Sequence, residues 1–434
     1  MRKPLTKTVT LGLFGLGTVG SGVVKILQSE AKRLEKKTGI RLVLKRVCVK
    51  SQAKKRPVKV ARSVFTTDAA KILKDPSIDI IVELIGGLHP AKEIVMKAFA
   101  EGKHVVTANK ALLAEEGKAV FAAAGKYGKR LGFEASVCGG IPIIKSLKEG
   151  LASNNVSSFF GIVNGTCNFI LTGMSTKGLD FKTALADAQK RGYAERDPRF
   201  DIEGIDSAHK LAVLARLAFR AEVPFKRIHV EGISKLSALD IAYAKELGYV
   251  IKLLAIGKKL DSGLELRVHP TMLPFDHPLS NVRGVYNAVF VHSDQAGDLL
   301  FYGRGAGMMP TASAVMSDVL DIAKRMQNEP FGSGAMPLEA AKASVLPIGT
   351  IVSKYYLRFQ VADKPGVLGR IAQTLGKNNI SILSVHQKES HGPTSVPVVI
   401  LTYEAQEANL RKALKEIDSQ KWISQKTVVM RVEK

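Results

Sequence analysis

Residues 12–22 read GLFGLGTVGSG, with Gly15, Gly17 and Gly20 in a GxGxxG spacing. The apolar run TVTLGLF leads into it and the amphipathic stretch SGVVKILQSEAKRLEKK follows, so the glycines stand where a strand gives way to a helix. In that context glycine permits a tight turn and close backbone approach, and the helix N-terminus faces a pyrophosphate. A merely tight turn is the alternative. Onward to about residue 150, short apolar runs alternate with amphipathic segments: RLVLKRVCV, DAAKILKD, IDIIVELIG, PAKEIVMKAFAEG, KHVVTAN, LLAEEGKAVFAAAGKYG and LGFEASV. This alternation predicts an α/β fold, a parallel sheet wound with helices on both faces, binding ligands at the carboxyl ends of its strands. A Rossmann-like dinucleotide-binding domain is expected over 1–150.

The second strand, RLVLKRVCVK, lacks the terminal acid that would grip the ribose hydroxyls of NAD. Lys50, Lys54, Lys55 and Arg56 follow instead, and no acid occurs between Glu35 and Asp68. A cationic loop there accommodates a 2′-phosphate, so NADP is favoured and NAD remains possible. A solvated lysine loop is the alternative. Further on, KHVVTANKALLA sets Asn109 and Lys110 at the mouth of the crevice, and a cation at a helix start asks for an anionic partner. FEASVCGGIPIIKSL reads as a strand whose Cys138-Gly139-Gly140 opens the next helix. GRGAG, residues 303–307, brings glycines to another helix start, for close approach to a flat ring or phosphate or for a simple turn.

Between 151 and 309 the texture becomes α+β, with strands SSFFGIVNG, IHVEGIS, VIKLLAIGKKL, LELRVHP and AVFVHS. The turns Asp261-Ser262-Gly263 and Val282-Arg283-Gly284 suggest antiparallel hairpins. A strong helix follows, TASAVMSDVLDIAKRMQ, expected around 310–328 as a helix returning to complete the first domain. The Pro-, Gly- and Ser-rich stretch over 329–353 marks a linker. The tail, 354–434, runs strand, helix, strand, strand, helix, strand, the ferredoxin-like βαββαβ order.

Bulk properties bound the function. A chain of 434 residues with 46% hydrophobic content requires two or three domains. The net charge of +25 is scattered through amphipathic helices without an aromatic-interleaved stripe, which favours a solvated surface or a field for anionic metabolites over nucleic acid. Three dispersed cysteines, Cys48, Cys138 and Cys167, imply neither a disulfide framework nor a zinc cluster, and point to a reducing compartment. The N-terminus lacks a convincing cleavage segment, and no stretch is long and apolar enough to span a bilayer. A cytoplasmic protein is expected. One helix stands out: DIEGIDSAHKLAVLARLAF, residues 201–219, places Asp206 one turn before Lys210 on a core-facing helix. By itself this reads as an ordinary ion pair.

The sequence resembles the long-form homoserine dehydrogenases along nearly its whole length, through GLFGLGTVGSGVV, VELIGG, HVVTANKALLA, FEASVCGGIPII, GIVNGTCNFIL, GYAERDPRFDIEGIDSAHKLAVLA, HVEGIS, AKELGY, NAVFV and FYGRGAGMMPTASAV. The resemblance implies an NAD(P)-dependent oxidoreductase that interconverts L-homoserine and L-aspartate 4-semialdehyde on the branch to threonine and methionine. It implies Lys210 as the general acid/base, with Lys110 as its cationic neighbour and Asp206 orienting it, and Glu195 and Asp201 with Asp206 and Lys110 on the substrate. Cofactor contacts are implied for Phe14, Gly15, Gly17, Thr18, Val19, Gly20, Lys50, Lys110 and Gly305. A monovalent cation, sodium, is implied near Glu134, Val137, Gly139 and Ile141, held mostly by backbone oxygens, the alternative for Glu134 being a carboxylate satisfied by nearby amides.

Three positions depart from the family pattern. Lys50 stands where an arginine would offer a bidentate fork to the cofactor phosphate, and Cys138 and Cys167 stand where small residues are common, as packing residues. The segment LRFQVADKPGVLGRIAQTLGKNNISILSV resembles a regulatory domain of the ACT type, with Asp363, Gly366 and Val367 at an effector loop. The implied effector is L-threonine, bound between subunits of a homodimer or higher homo-oligomer; an assembly module without ligand is the alternative. Two other readings compete: another semialdehyde reductase, one version of which needs a nucleophilic cysteine, and a non-catalytic amino-acid sensor.

Overall fold

The computed structural model describes residues 7–51, 56–328, 340–388 and 395–433. Lys54 and Lys55 of the basic loop, and residues 329–339 of the expected linker, lie outside the described residues. The chain opens with β1 (Lys7–Phe14), α1 (Thr18–Thr38), β2 (Ile40–Cys48), β3 (Phe65–Thr66), α2 (Ala70–Leu73), β4 (Ile80–Glu83), α3 (Ala91–Ala100), β5 (His104–Thr107), α4 (Lys110–Glu115), α5 (Gly117–Lys126), β6 (Leu131–Gly132) and α6 (Ile143–Lys145). It continues with β7 (Val156–Ile162), α7 (Gly165–Lys177), α8 (Phe181–Lys190), α9 (Arg199–Ile202), α10 (Ile205–Phe219), β8 (Ala221–Glu222), β9 (His229–Val230), α11 (Ala238–Glu246), β10 (Tyr249–Leu260), β11 (Gly263–Pro274), β12 (Tyr286–Ser293), β13 (Gly297–Arg304) and α12 (Met308–Asn328). Last come β14 (Ala341–Lys342), β15 (Val352–Val361), α13 (Val367–Lys377), β16 (Ile382–Gln387), β17 (Val396–Thr402), β18 (Ala405–Gln406), α14 (Glu407–Asp418) and β19 (Ile423–Val432).

Six parallel strands lie in the order β3-β2-β1-β4-β5-β6. All four residues of β4 are buried, as helices on both faces of a parallel sheet require. The order reverses beside β1, which opens a crevice over the carboxyl ends of β1 and β4. Helix α1 stops at Gly39, whose φ of +72° lets its N–H reach Glu35 O at 2.8 Å, with Lys36 and Lys37 favourably placed in the last turn. Helix α12 packs on α1. A side chain at Gly22 would meet Met308 O at 2.6 Å, so glycine permits that approach, and Val23 and Val24 share one core with Leu11, Leu13, Val315 and Val319.

Two compact units emerge, Met1–Ser157 with His209–Phe225 and Tyr286–Ala343, and Ser158–Ala208 with Lys226–Val285 and Ser344–Lys434. This division differs from boundaries drawn at 150, 309 and 353, because packing partners rather than chain order define a unit. Within the first, β12 and β13 form an antiparallel hairpin. Within the second, β7, β10, β11, β19, β15, β17 and β16 lie side by side in that order. The tail forms the expected βαββαβ, with the two-residue β18 added, around a core that includes Tyr355, Phe359, Ile371, Leu375, Ile400 and Leu410.

The tail is not a loosely tethered module. Its last strand β19 pairs in parallel with β11 at Thr271–Arg431 and Met272–Val432. Ion pairs accompany that seam: Arg431 donates to the half-buried Glu231 (2.9 Å) and the buried Glu407 (2.6 Å), Arg267 to Glu433 (2.8 Å), and Arg358 to Asp240 (2.6 Å).

Several local expectations need correction. The strand expected through LGFEASV ends at Gly132, because a 3₁₀ turn over Glu134–Ser136 follows, and the next helix starts at Ile143 rather than at Cys138-Gly139-Gly140. IHVEGIS contributes only His229–Val230 as strand. Val282-Arg283-Gly284 is no hairpin turn: it follows a 3₁₀ turn over Pro278–Asn281, and β12 takes β13 as its antiparallel partner. The described part of the linker is pinned, since β14 pairs with β8 and Leu264 N–H donates to Ser344 O at 2.8 Å. Among the described residues no helix is long and apolar enough to cross a membrane.

Candidate active site

A cleft of about 1160 Å³ lies where β1, β2 and β4 end, lined by Phe14, Gly15, Gly17, Cys48, Leu84 and Ile85. Gly15 has φ +92°, and a side chain on it would meet Leu84 O at 2.7 Å; one on Gly20 would meet Gly15 O at 2.2 Å. Around Gly17 the space is open, and Thr18 and Val19 begin α1 with no acid in the first turn. Backbone amides and the helix field therefore favour an anion here. Lys50, Ser51 and Arg56 line the same cleft. Lys50 is exposed, while Arg56 donates to Ser51 O at 2.5 Å and lies over the Phe65 ring at 5.2 Å. That contact holds a guanidinium where Lys50 offers only an ammonium.

At the ends of β4 and β5 a buried polar chain positions Lys110. Glu83, fully buried, accepts from Thr107 Oγ1 at 2.6 Å and from Ile85 N–H at 2.8 Å. Thr107 Oγ1 in turn accepts Asn109 N–H at 3.0 Å, Asn109 Oδ1 caps α4 through Leu112 N–H at 3.1 Å, and Asn109 Nδ2 donates to Gly87 O at 2.6 Å. Lys110, half-buried, is the first residue of that capped helix. Sequence reading missed Glu83, although an acid closing the apolar run IDIIV was a visible signal.

Glu134 is buried, and its two carboxylate oxygens accept the N–H groups of Ile144 and Lys145 at 2.8 Å each, so nearby amides satisfy it. Its own N–H donates to Asp318 Oδ2 at 2.8 Å. Burial raises both carboxyls, Asp318 to about 7. Cys138 and Gly139, with φ of +54° and +48°, then turn the chain sharply. Among the described residues no hydrogen bond reaches the carbonyl oxygens of Val137 and Gly139, whereas Ile141 O accepts from Ile143 N–H at 2.8 Å. The close approach expected at Gly305 is to protein: a side chain on Gly139 would meet Gly305 O at 2.5 Å, and one on Gly305 would meet the Asn287 amide at 2.1 Å. Among the described residues no cluster of His, Cys, Asp and Glu could hold a metal ion.

In the second unit, Asn164 joins two of the expected substrate residues. Its Oδ1 caps α7 through Cys167 N–H at 2.8 Å, which orients Nδ2 to donate to Asp201 Oδ1 and Asp206 Oδ2, both at 2.8 Å. Asp206 is buried, Asp201 is half-buried, and Cys167 Sγ donates to Asp201 O at 3.3 Å. Sequence reading passed over Asn164, whose signal was an N-cap asparagine before a helix start. Glu195 is exposed, in the turn after α8, with its carbonyl oxygen accepting from Gln189 at 3.0 Å. Lys210, half-buried, lies one helical turn beyond Asp206 on the part of α10 that belongs to the first unit.

At the tail loop, Asp363 is exposed and Gly366 takes φ +88° before α13. Val367 N–H donates to Lys364 O at 3.4 Å, so this amide is turned back into the loop. The three cysteines are free thiols, with Cys138 and Cys167 buried.

Family models described as homoserine dehydrogenase, as its NAD-binding domain and as the ACT domain match residues 142–320, 15–134 and 355–421. A homoserine dehydrogenase of Neisseria gonorrhoeae is 44% identical over 431 residues, covering 98% of this chain and 99% of the relative. One of Pseudomonas aeruginosa is 43% identical over 432 residues, with 98% and 99% covered. Among solved structures, a homoserine dehydrogenase from Thiobacillus denitrificans superposes with a TM-score of 0.92 at 43% identity, covering 98% of each chain. A hyperthermophilic archaeal homoserine dehydrogenase in complex with NADPH superposes at 0.63 with 25% identity, covering 75% of this chain and 99% of that one.

Proposed function

The chain belongs to the homoserine dehydrogenase family of oxidoreductases, and from that premise we propose that it catalyses the reversible NADPH-dependent reduction of L-aspartate 4-semialdehyde to L-homoserine, on the branch to threonine and methionine. The observation that carries this reading is the Asn164 bridge to Asp201 and Asp206, at the start of the same helix that bears Lys210. It holds two carboxylates in fixed orientation for a polar, cationic substrate. When bound, the reduced nicotinamide supplies the hydride. The Lys210 ammonium gives its proton to the carbonyl oxygen as the aldehyde carbon is reduced, and in reverse the neutral amine takes the hydroxyl proton. Asp206 orients that lysine, Lys110 contributes positive charge beside cofactor and substrate, and Glu195 and Asp201 recognise the amino acid.

The test is to follow NADPH absorbance on adding L-aspartate 4-semialdehyde. Absence of substrate-dependent oxidation in a folded sample would sink the proposal. Glu195→Leu is expected to raise the homoserine KM by roughly 10- to 100-fold with kcat little changed, as loss of a charge-assisted contact made equally in ground and transition states. An unchanged KM would move ammonium recognition elsewhere.

NADPH preference over NADH is supported by the acid-free end of β2 and by Lys50 and Arg56 in the cleft. Replacing both by alanine should weaken NADPH about tenfold or more while altering NADH far less, because only NADPH carries the extra phosphate. Titrations by nicotinamide fluorescence read the two constants, and equal losses would reduce the loop to a basic surface. The carbonyl oxygens of Val137 and Gly139 fit a sodium ion better than the Glu134 carboxylate does, because amides already occupy that carboxylate. The ACT domain is read as a site of feedback by L-threonine in a homodimer or higher oligomer, with Asp363 and the Gly366 turn as the effector loop.

A further inference from the structure

The geometry points to Glu115 and His209 as a positioning pair that fixes Lys110 against the Lys210 segment of α10; this rests on the functional reading above. His209 Nε2 lies 3.0 Å from Glu115 Oε1, the His209 side chain is only 5% exposed, and its ring stacks on Phe225 at 4.4 Å and 21°. Glu115 ends α4, the short helix that Lys110 begins, so about 7.5 Å of rigid helix separates the two. His209 immediately precedes Lys210. One bond thus ties the element bearing one lysine to the element bearing the other.

Other contacts repeat this docking. Arg216 of α10 lies over the Phe121 ring of α5 at 4.5 Å, and Lys118 of α5 reaches Glu222 beyond α10 at 3.1 Å. The second is an exposed pair that contributes little by itself, and the first lies about one and a half to two helical turns beyond Lys210. The Glu115–His209 bond is adjacent to Lys210 and its histidine side is buried, with Glu115 reaching it from an exposed position, so it sets the lysine geometry most directly. A histidine stacked on one face and hydrogen-bonded at Nε2 has little freedom to swing, and α4 is fixed at its other end by the Asn109 cap.

The test uses the full chain and the variants Glu115→Ala, Glu115→Gln, His209→Phe and His209→Gln. Glu115→Ala removes the acceptor, and His209→Phe keeps the stack on Phe225 while removing the donor. Each should lower kcat roughly 10- to 100-fold, the effect of displacing a reacting group by about an ångström. The homoserine KM and the NADPH Kd should each change by less than about threefold, because neither residue lines the cofactor cleft and the pair acts through the position of the lysines. Glu115→Gln and His209→Gln retain an acceptor or a donor at the same reach and should recover most of kcat. The double variant Glu115→Ala/His209→Phe should be no worse than either single one.

Two results overturn the pair: kcat unchanged in both disrupting variants, or kcat, KM, Kd and melting temperature all falling together without rescue by the glutamines. If a disrupting variant does not fold, the two glutamine variants decide alone, near-normal kcat supporting the pair and a loss as large as 100-fold opposing it. A wild-type chain without substrate-dependent NADPH turnover would overturn the functional reading itself, and with it the pair. An active wild type with indifferent variants would overturn the pair alone.

Discussion

Lys210→Ala is expected to lower kcat by roughly 10²–10⁴-fold, the usual contribution of a positioned general acid, while the NADPH Kd stays within about twofold of wild type. The reason for the split lies in where the residues stand. Lys210 is on α10, and the glycine turn, Lys50 and Arg56 that line the cofactor cleft come from the first 56 residues. Removing the ammonium leaves a nascent alkoxide without its proton, a deficit felt in the transition state and hardly at all in the ground state. Stopped-flow hydride transfer, read as the decay of NADPH absorbance, separates the chemical step from product release. Near-normal single-turnover rates would exclude Lys210 as the proton donor, and attention would pass to Lys110.

Arg431→Met is expected to cost about 3–5 kcal/mol of folding stability, because it strands the buried Glu407 carboxylate that the guanidinium now satisfies. Arg431 and Glu407 are both almost fully buried, and Glu231 completes the set across the β11–β19 seam. Burial alone would raise Glu407 and Glu231, yet the hydrogen bond and charge of Arg431 hold Glu407 below the usual range, and the hydrogen bond with His229, then that of Arg431 and its charge, do the same for Glu231. Carboxyls depressed in the folded state contribute stability that is full above the unfolded glutamate pKa of about 4.3 and is lost as pH falls through the folded values. Urea midpoints between about pH 5 and about pH 2 should therefore fall on acidification in wild type and change much less in Arg431→Met.

A chain cut after residue 345 would lose these partners at once. Glu231, Asp240 and Arg267 would be left without Arg431, Arg358 and Glu433, and the edge of β11 would be exposed. Truncation is thus expected to unfold the second unit rather than to release an active, unregulated enzyme. L-Threonine should accordingly be titrated calorimetrically against the full chain, where absence of both binding and inhibition would leave the tail an assembly element. A soluble, active truncation product with a wild-type melting temperature would show the seam to be dispensable.

Much of the fold was legible from the chain because its signals are local. The GxGxxG turn requires φ above zero at Gly15 and bare backbone at Gly20, and both demands are visible in residue identity. The alternation of strand and helix and the βαββαβ tail follow from periods of 2.0 and 3.6 residues, and the acid-free end of β2 from residue identity. Local reading failed where length was decided by neighbours. β6 stops at Gly132 because a Cβ there would meet Asp318 Cβ at 2.7 Å and the Glu134 N–H turns to Asp318, a partner 184 residues away.

The sequence by itself determined the dinucleotide fold, the residue types of the site and their order along the chain, since backbone conformation and hydrophobic period depend on side chains a few positions apart. Tertiary structure alone decided three further matters. Asn164 became the bridge between Asp201 and Asp206, Glu115 met His209, and the tail became part of a continuous sheet through β11 and β19. Each depends on hydrogen-bond geometry between groups 37 to 200 residues apart, as with Asn164 and Asp201 or Glu231 and Arg431. Such pairs are worth little in solvent and become decisive only when burial removes water as the competing partner.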